Sequence, residues 1–174
     1  SGGSSSGGGT VPAPVLSNVT IGDGTNTINP KVAGTTFTFS VSPTAAYTTG
    51  TAKLSASASY TIESGAYKVT GTATTSDDIL KIALAALKTK GGTNEDVLGS
   101  TLIANTGVKI TLAATADPSK TTVYTINFIP ATAPTLADVT VGGISPTVAG
   151  TTLTFSVNPA TAYKTGTATL SENA

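Results

Sequence analysis

The sequence predicts a mainly β protein: a β-sandwich with one inserted short helix, followed by a partial second copy of the same domain. Three observations predict it. Short segments alternate apolar with polar residues at a period of two, the pattern of a half-buried strand. Gly, Pro and Asn cluster between those segments, where turns need them. A long phrase also recurs: PKVAGTTFTFSVSPTAAYTTGTAKLS, residues 30–55, returns as PTVAGTTLTFSVNPATAYKTGTATLS, residues 146–171, with nineteen of twenty-six positions identical. Its period exceeds that of a solenoid, whose repeats run to about 20–50 residues, and so points to tandem domains.

Taken in chain order, residues 1–14 (SGGSSSGGGTVPAP) read as a Ser/Gly coil that ends in a proline-stiffened approach to the first strand, a linker between modules. Residues 15–130 then form one sandwich domain. In TTFTFSV, Phe37, Phe39 and Val41 share one face with Thr36, Thr38 and Ser40 on the other. The same alternation gives Val108, Ile110 and Leu112 in GVKITLA, and Tyr124, Ile126 and Phe128 in TVYTINF. SNVTI, the long TAKLSASASYTI, AYKVTGTA and STLIA complete the set of expected strands. Residues 131–174 are the partial second repeat. Its opening Thr135-Leu136-Ala137-Asp138-Val139-Thr140 lines up with Val15-Leu16-Ser17-Asn18-Val19-Thr20.

One helix is expected over residues 76–90. Ser76 stands at the N-cap, Asp77 and Asp78 fall in the first turn, Lys88 and Lys90 lie at the far end, and Gly91 is the stop. Ile79, Leu80, Ile82, Leu84 and Leu87 leave little polar surface, so the helix should pack on a sheet or close one end of the sandwich.

Composition narrows the chemistry. Thirty-six threonines, with 39% hydrophobic and only 10% charged residues, make a chain suited to pleated, half-buried surface. Nine Lys balance nine acidic residues and there is no Arg, so few phosphates could be neutralised and nucleic acid is not an expected partner. Cys and His are absent, which excludes thiol and Ser-His-Asp nucleophiles and the usual zinc sites. No apolar run reaches the roughly 20 residues a spanning helix needs.

The opening PAPVLSNVTIG, the VAGTTFTFSV strand, the closing TTVYTINF strand and the Ser/Gly-rich leader together resemble the immunoglobulin-like or bacterial cadherin-like β-sandwich modules of bacterial cell-surface proteins, S-layer-associated ones included. The resemblance covers roughly residues 12–130 and again 131–174. It implies an immunoglobulin-like sandwich and a non-enzymatic, structural role outside the cell, as a module of a surface layer, stalk or self-assembling filament. The alternative is an adhesin or carbohydrate-binding module. The expected partners are copies of the chain itself or adjacent repeats of a longer chain, with carbohydrate as the partner under the alternative.

Candidate sites are few. Asp77 with Asp78 and Glu95 with Asp96 are the adjacent acid pairs that a two-carboxylate glycosidase would need, but helix-start preference accounts for the first and the polar loop GGTNED for the second. No cofactor is expected. Cadherin-like modules carry calcium at domain junctions, and the oxygen ligands to consider are Asp23, Asn26, Asp77, Asp78, Asn94, Glu95, Asp96 and Asp138, none of them in the spacing of an organised calcium loop. Asn18-Val19-Thr20 matches a glycosylation acceptor within a strand. Tyr47 and Tyr163, at matched positions, are read as corner residues whose hydroxyl ties a loop to the backbone. The second repeat presents Leu153, Phe155 and Val157 on one strand face without the later strands that should cover it, so these three are the expected self-assembly residues.

Overall fold

A computed structural model describes residues 9–93 and 95–171; the Ser/Gly leader up to residue 8 and Asn94 lie outside them. The chain divides into two compact units between Pro130 and Ala131. The first unit is mainly β and consistent with a sandwich. Its strands are β1 (Leu16–Gly22), β2 (Thr27–Ile28), β3 (Lys31–Ala33), β4 (Thr36–Val41), β5 (Ala46–Tyr47), β6 (Thr49–Leu54), β7 (Ala58–Ser64) and β8 (Tyr67–Ala73). Helix α1 (Ile79–Lys90), β9 (Val97–Leu98), α2 (Gly99–Ala104), β10 (Val108–Ala114) and β11 (Thr121–Pro130) follow.

Two sheets share one core. One has the order β2-β1-β6 and the other β3-β4-β11-β10-β7-β8, with β5 and β9 forming a small ribbon beside them. All pairs are antiparallel except β4 with β11, which run parallel, Phe37 opposite Ile126 and Phe39 opposite Phe128. The alternation of β4 does what its sequence requires: Phe37, Phe39 and Val41 are buried while Thr36, Thr38 and Ser40 are half-buried. Phe39 stacks on Phe128 with ring centroids 5.9 Å apart, and Phe37 meets Tyr124 at 5.5 Å. Each such side chain contributes about 1.5–3 kcal/mol by leaving water. The long TAKLSASASYTI segment is two strands, because the chain switches sheets at Ser55–Ser57 between β6 and β7.

Two expectations are corrected. The helix begins at Ile79 and not at Ser76, with Asp78 in the N-cap position, extended and without a side-chain cap bond. Other partners claim the acids. The Asp77 carboxylate accepts from the Thr74 N–H at 2.8 Å and the Thr74 hydroxyl at 3.2 Å, closing a turn at the end of β8. Asp78 faces the Lys53 ammonium at 3.2 Å. Second, the STLIA segment is not a strand but the body of α2. Leu102 is fully buried there, and packing against β11 and β4 outweighs the strand preference of its β-branched residues. Gly99 sits so close to the Ser42 carbonyl that no side chain fits.

The second unit contains β12 (Leu136–Val141), β13 (Thr147–Ala149), β14 (Thr152–Thr154) and β15 (Gly166–Leu170). They form two separate antiparallel pairs, β12 with β15 and β13 with β14.

Candidate docking face of the second repeat

The two repeats agree in their pairing, not only in their wording. In the first, Leu16 pairs with Leu54, Ser17 with Lys53, Thr20 with Thr51 and Ile21 with Gly50. In the second, Leu136 pairs with Leu170, Ala137 with Thr169, Thr140 with Thr167 and Val141 with Gly166. Both ladders slip at the same place, and there Asn18 and Asp138 each take a left-handed φ of 53°, a conformation that Asn and Asp tolerate best among residues with a side chain. This bulge accounts for Asn18 within the glycosylation-like triplet and for Asp138 at the matching position. The β13–β14 hairpin likewise repeats the β3–β4 register, Val148 opposite Leu153 as Val32 is opposite Phe37. The tyrosine corner also recurs: the Tyr47 hydroxyl accepts from the Ser42 N–H at 2.9 Å, and that of Tyr163 from the Asn158 N–H at 2.8 Å.

What differs is cover. Leu54 is 4% exposed and its match Leu170 is 62% exposed; Val41 is fully buried and Val157 is 50% exposed. Leu153 and Phe155 are half-buried where Phe37 and Phe39 are buried. Val148, at 63%, is as open as Val32 at 59%, so that position belongs to the module's ordinary surface, whereas the openness of Val157 and of Leu170 has no counterpart in the first repeat. An open groove of about 590 Å³ lies on this unit, lined by Pro134, Leu136, Val139, Pro146, Val148 and Leu153 among others. Of the three expected self-assembly residues, Leu153 lines it.

The acidic candidates are dispersed. Among the described residues no three His, Cys, Asp or Glu side chains converge as a metal site would require. Asp23 accepts from the N–H groups of Asn26 and Thr25 at 2.7 and 2.9 Å, closing its own turn, and those bonds hold its pKa below the ordinary value. Asp77 is lowered in the same way by its bonds from Thr74. Asp78 is taken by Lys53, while Glu95 and Asp138 are exposed. Asp96 borders a hollow of about 170 Å³ together with Lys81 and Lys88, cationic neighbours for any ion held there. Asn94 lies outside the described residues. Burial pushes the pKa of Tyr47 up.

Two exposed residues of β15 that differ from their buried matches are not evident from the sequence, Gly166 and Leu170. The signal was present in the phrase TGTA, which recurs at 49–52 and 165–168 and keeps its glycine. No helix among the described residues is long and apolar enough to cross a membrane. No family model, curated protein or solved structure matches the chain.

Proposed function

We propose that the chain is a non-enzymatic structural module of an extracellular surface protein, a surface layer, stalk or self-assembling filament built from tandem β-sandwich repeats. One observation carries this reading. The second repeat keeps the ladders, bulge and tyrosine corner of the first, yet leaves Val157 and Leu170 open where Val41 and Leu54 are buried. Open apolar side chains of this kind, beside the edges of two-stranded ladders, favour association with further β-structure. The low charge and the abundance of threonine suit a packed array, and the partners are then copies of the chain or adjacent repeats.

Assembly is the test. The purified chain, concentrated stepwise and followed by light scattering and electron microscopy, should pass from monomer to regular filaments or sheets. A chain that stays monomeric over the whole accessible range overturns self-assembly.

A further inference from the structure

We infer that the second unit docks a polypeptide segment with the chemistry of residues 76–130: an apolar helix laid against Gly166, followed by a β-strand running parallel to Thr152–Val157. The inference rests on reading the second unit as a docking half, and it names what docks and in which register.

The first unit supplies the template. There β4 has two neighbours. β3 pairs only with Thr36–Thr38, whereas β11 pairs with all of Thr36–Val41. The last three residues of β4 therefore owe their ladder to β11 alone. In the second repeat β14 ends at Thr154, and Phe155, Ser156 and Val157, the matches of Phe39, Ser40 and Val41, belong to no strand. Their identities are nonetheless those of β4. Restoring the ladder takes an incoming strand in the β11 register. The place of Ile126 falls opposite Leu153, that of Phe128 opposite Phe155 and that of Pro130 opposite Val157. A tyrosine at the place of Tyr124, whose hydroxyl accepts from the Leu16 N–H at 3.0 Å, would reach the N–H of Leu136.

Gly166 is an independent sign of the helix. At its match Gly50, an added β-carbon would stand 2.7 Å from the Leu80 carbonyl carbon and 2.8 Å from the Lys81 nitrogen, so α1 approaches β6 too closely for any side chain. At Gly166 the same atom would meet nothing nearer than the Thr140 carbonyl oxygen at 3.6 Å, and no left-handed φ calls for glycine there. A glycine that its own unit does not need is explained by a backbone arriving from outside. The first-turn chemistry differs, however. Lys53, which holds Asp78 and the Ser76 carbonyl, is replaced by Thr169, so the docking helix needs no carboxylate at its start.

The test adds a synthetic peptide of residues 119–131, SKTTVYTINFIPA, to the full chain kept dilute enough to be monomeric, and reads hydrogen exchange at residues 152–157. Slowing by about tenfold or more is expected, with none from a control peptide carrying Ile126→Asp and Phe128→Asp. A polypeptide of residues 76–131 should extend the slowing to residues 166–170, and Gly166→Leu should abolish that extension alone. No slowing at 152–157, or equal slowing by both short peptides, overturns the inference. So does slowing that grows with the chain's own concentration and not with peptide; a second copy then fills the face and the assembly reading stands without this one. Peptide binding by a chain that never assembles has the opposite meaning, sustaining the inference while self-assembly fails.

Discussion

The Tyr47 hydroxyl takes a hydrogen bond from the backbone N–H of Ser42 at 2.9 Å, five residues back along the chain. Ser42 directly follows β4, so this bond sets the path by which the chain leaves the six-stranded sheet. Tyr163 makes the same bond to Asn158, but Tyr47 is buried and Tyr163 only half-buried. Tyr47→Phe should cost about 1–2 kcal/mol in chemical denaturation, because it leaves the donor of half-buried Ser42 without its partner. Tyr163→Phe should cost less than half as much. Equal losses would show that burial does not give the bond its weight.

Phe39 is fully buried and stacked on Phe128, and its match Phe155 lies half-open. Phe39→Ala should destabilise the first unit by about 3–5 kcal/mol. Phe155→Ala, measured in the dilute monomer, should fall below about 1 kcal/mol. Comparable losses would mean that Phe155 is already covered in the monomer.

Gly50→Ala places a methyl group against the backbone of Leu80 and Lys81. A loss of roughly 1–3 kcal/mol is expected, as for overpacking elsewhere. Gly166→Ala should stay within about 0.5 kcal/mol in the monomer. Urea midpoints of the two variants decide it.

Acid should weaken the fold in a defined window. Asp23, Asp77 and Asp117 are held below their ordinary pKa, the first two chiefly by backbone N–H groups and Asp117 chiefly by the Ser119 hydroxyl. A carboxylate depressed in the folded state adds stability that is present above the unfolded value, about 3.9, and is lost as pH falls through the folded one. The thermal midpoint should therefore vary little on this account from pH 7 to about 5 and drop below about 4. Asp77→Asn should shrink the drop. Asp77 is exposed and Asp23 and Asp117 are no more than half-buried, so the effect of each is small.

Chelation should leave the thermal midpoint unchanged. The carboxylates of Asp23, Asp77 and Asp78 are already engaged by the protein's own groups, and among the described residues the remaining acids do not gather around a common point. A fall of several degrees on exhaustive chelation would assign a calcium site through binding linkage.

Much of this architecture was legible because the alternation is clean. Phe37, Phe39 and Val41, or Val108, Ile110 and Leu112, can face only one way in a strand, and the core contains all six. The start of α1 was misplaced because Asp77 and Asp78 suit a helix N-terminus equally well on paper; Thr74 and Lys53 reach them first only in three dimensions. The STLIA segment carries no signal of its own for α2, which depends on neighbours distant in sequence. In the second repeat, Leu153, Phe155 and Val157 share a period of two, but only Leu153 lies in a strand, because β14 ends at Thr154; Gly166 acquires meaning only once Gly50 is seen beneath Leu80.

The parallel pairing of β4 with β11 also sets the order of events as the chain folds. Parallel neighbours need a long crossover, and here it runs from Ser42 to Lys120, most of the first unit. Contacts so distant in sequence form late and slow the overall rate. On a ribosome, residues 15–55 emerge well before their covering strand exists, and until it arrives Phe39 and Val41 have no ladder partner, because β3 reaches only Thr36–Thr38. Until then, that uncovered apolar surface is what chaperones would meet first.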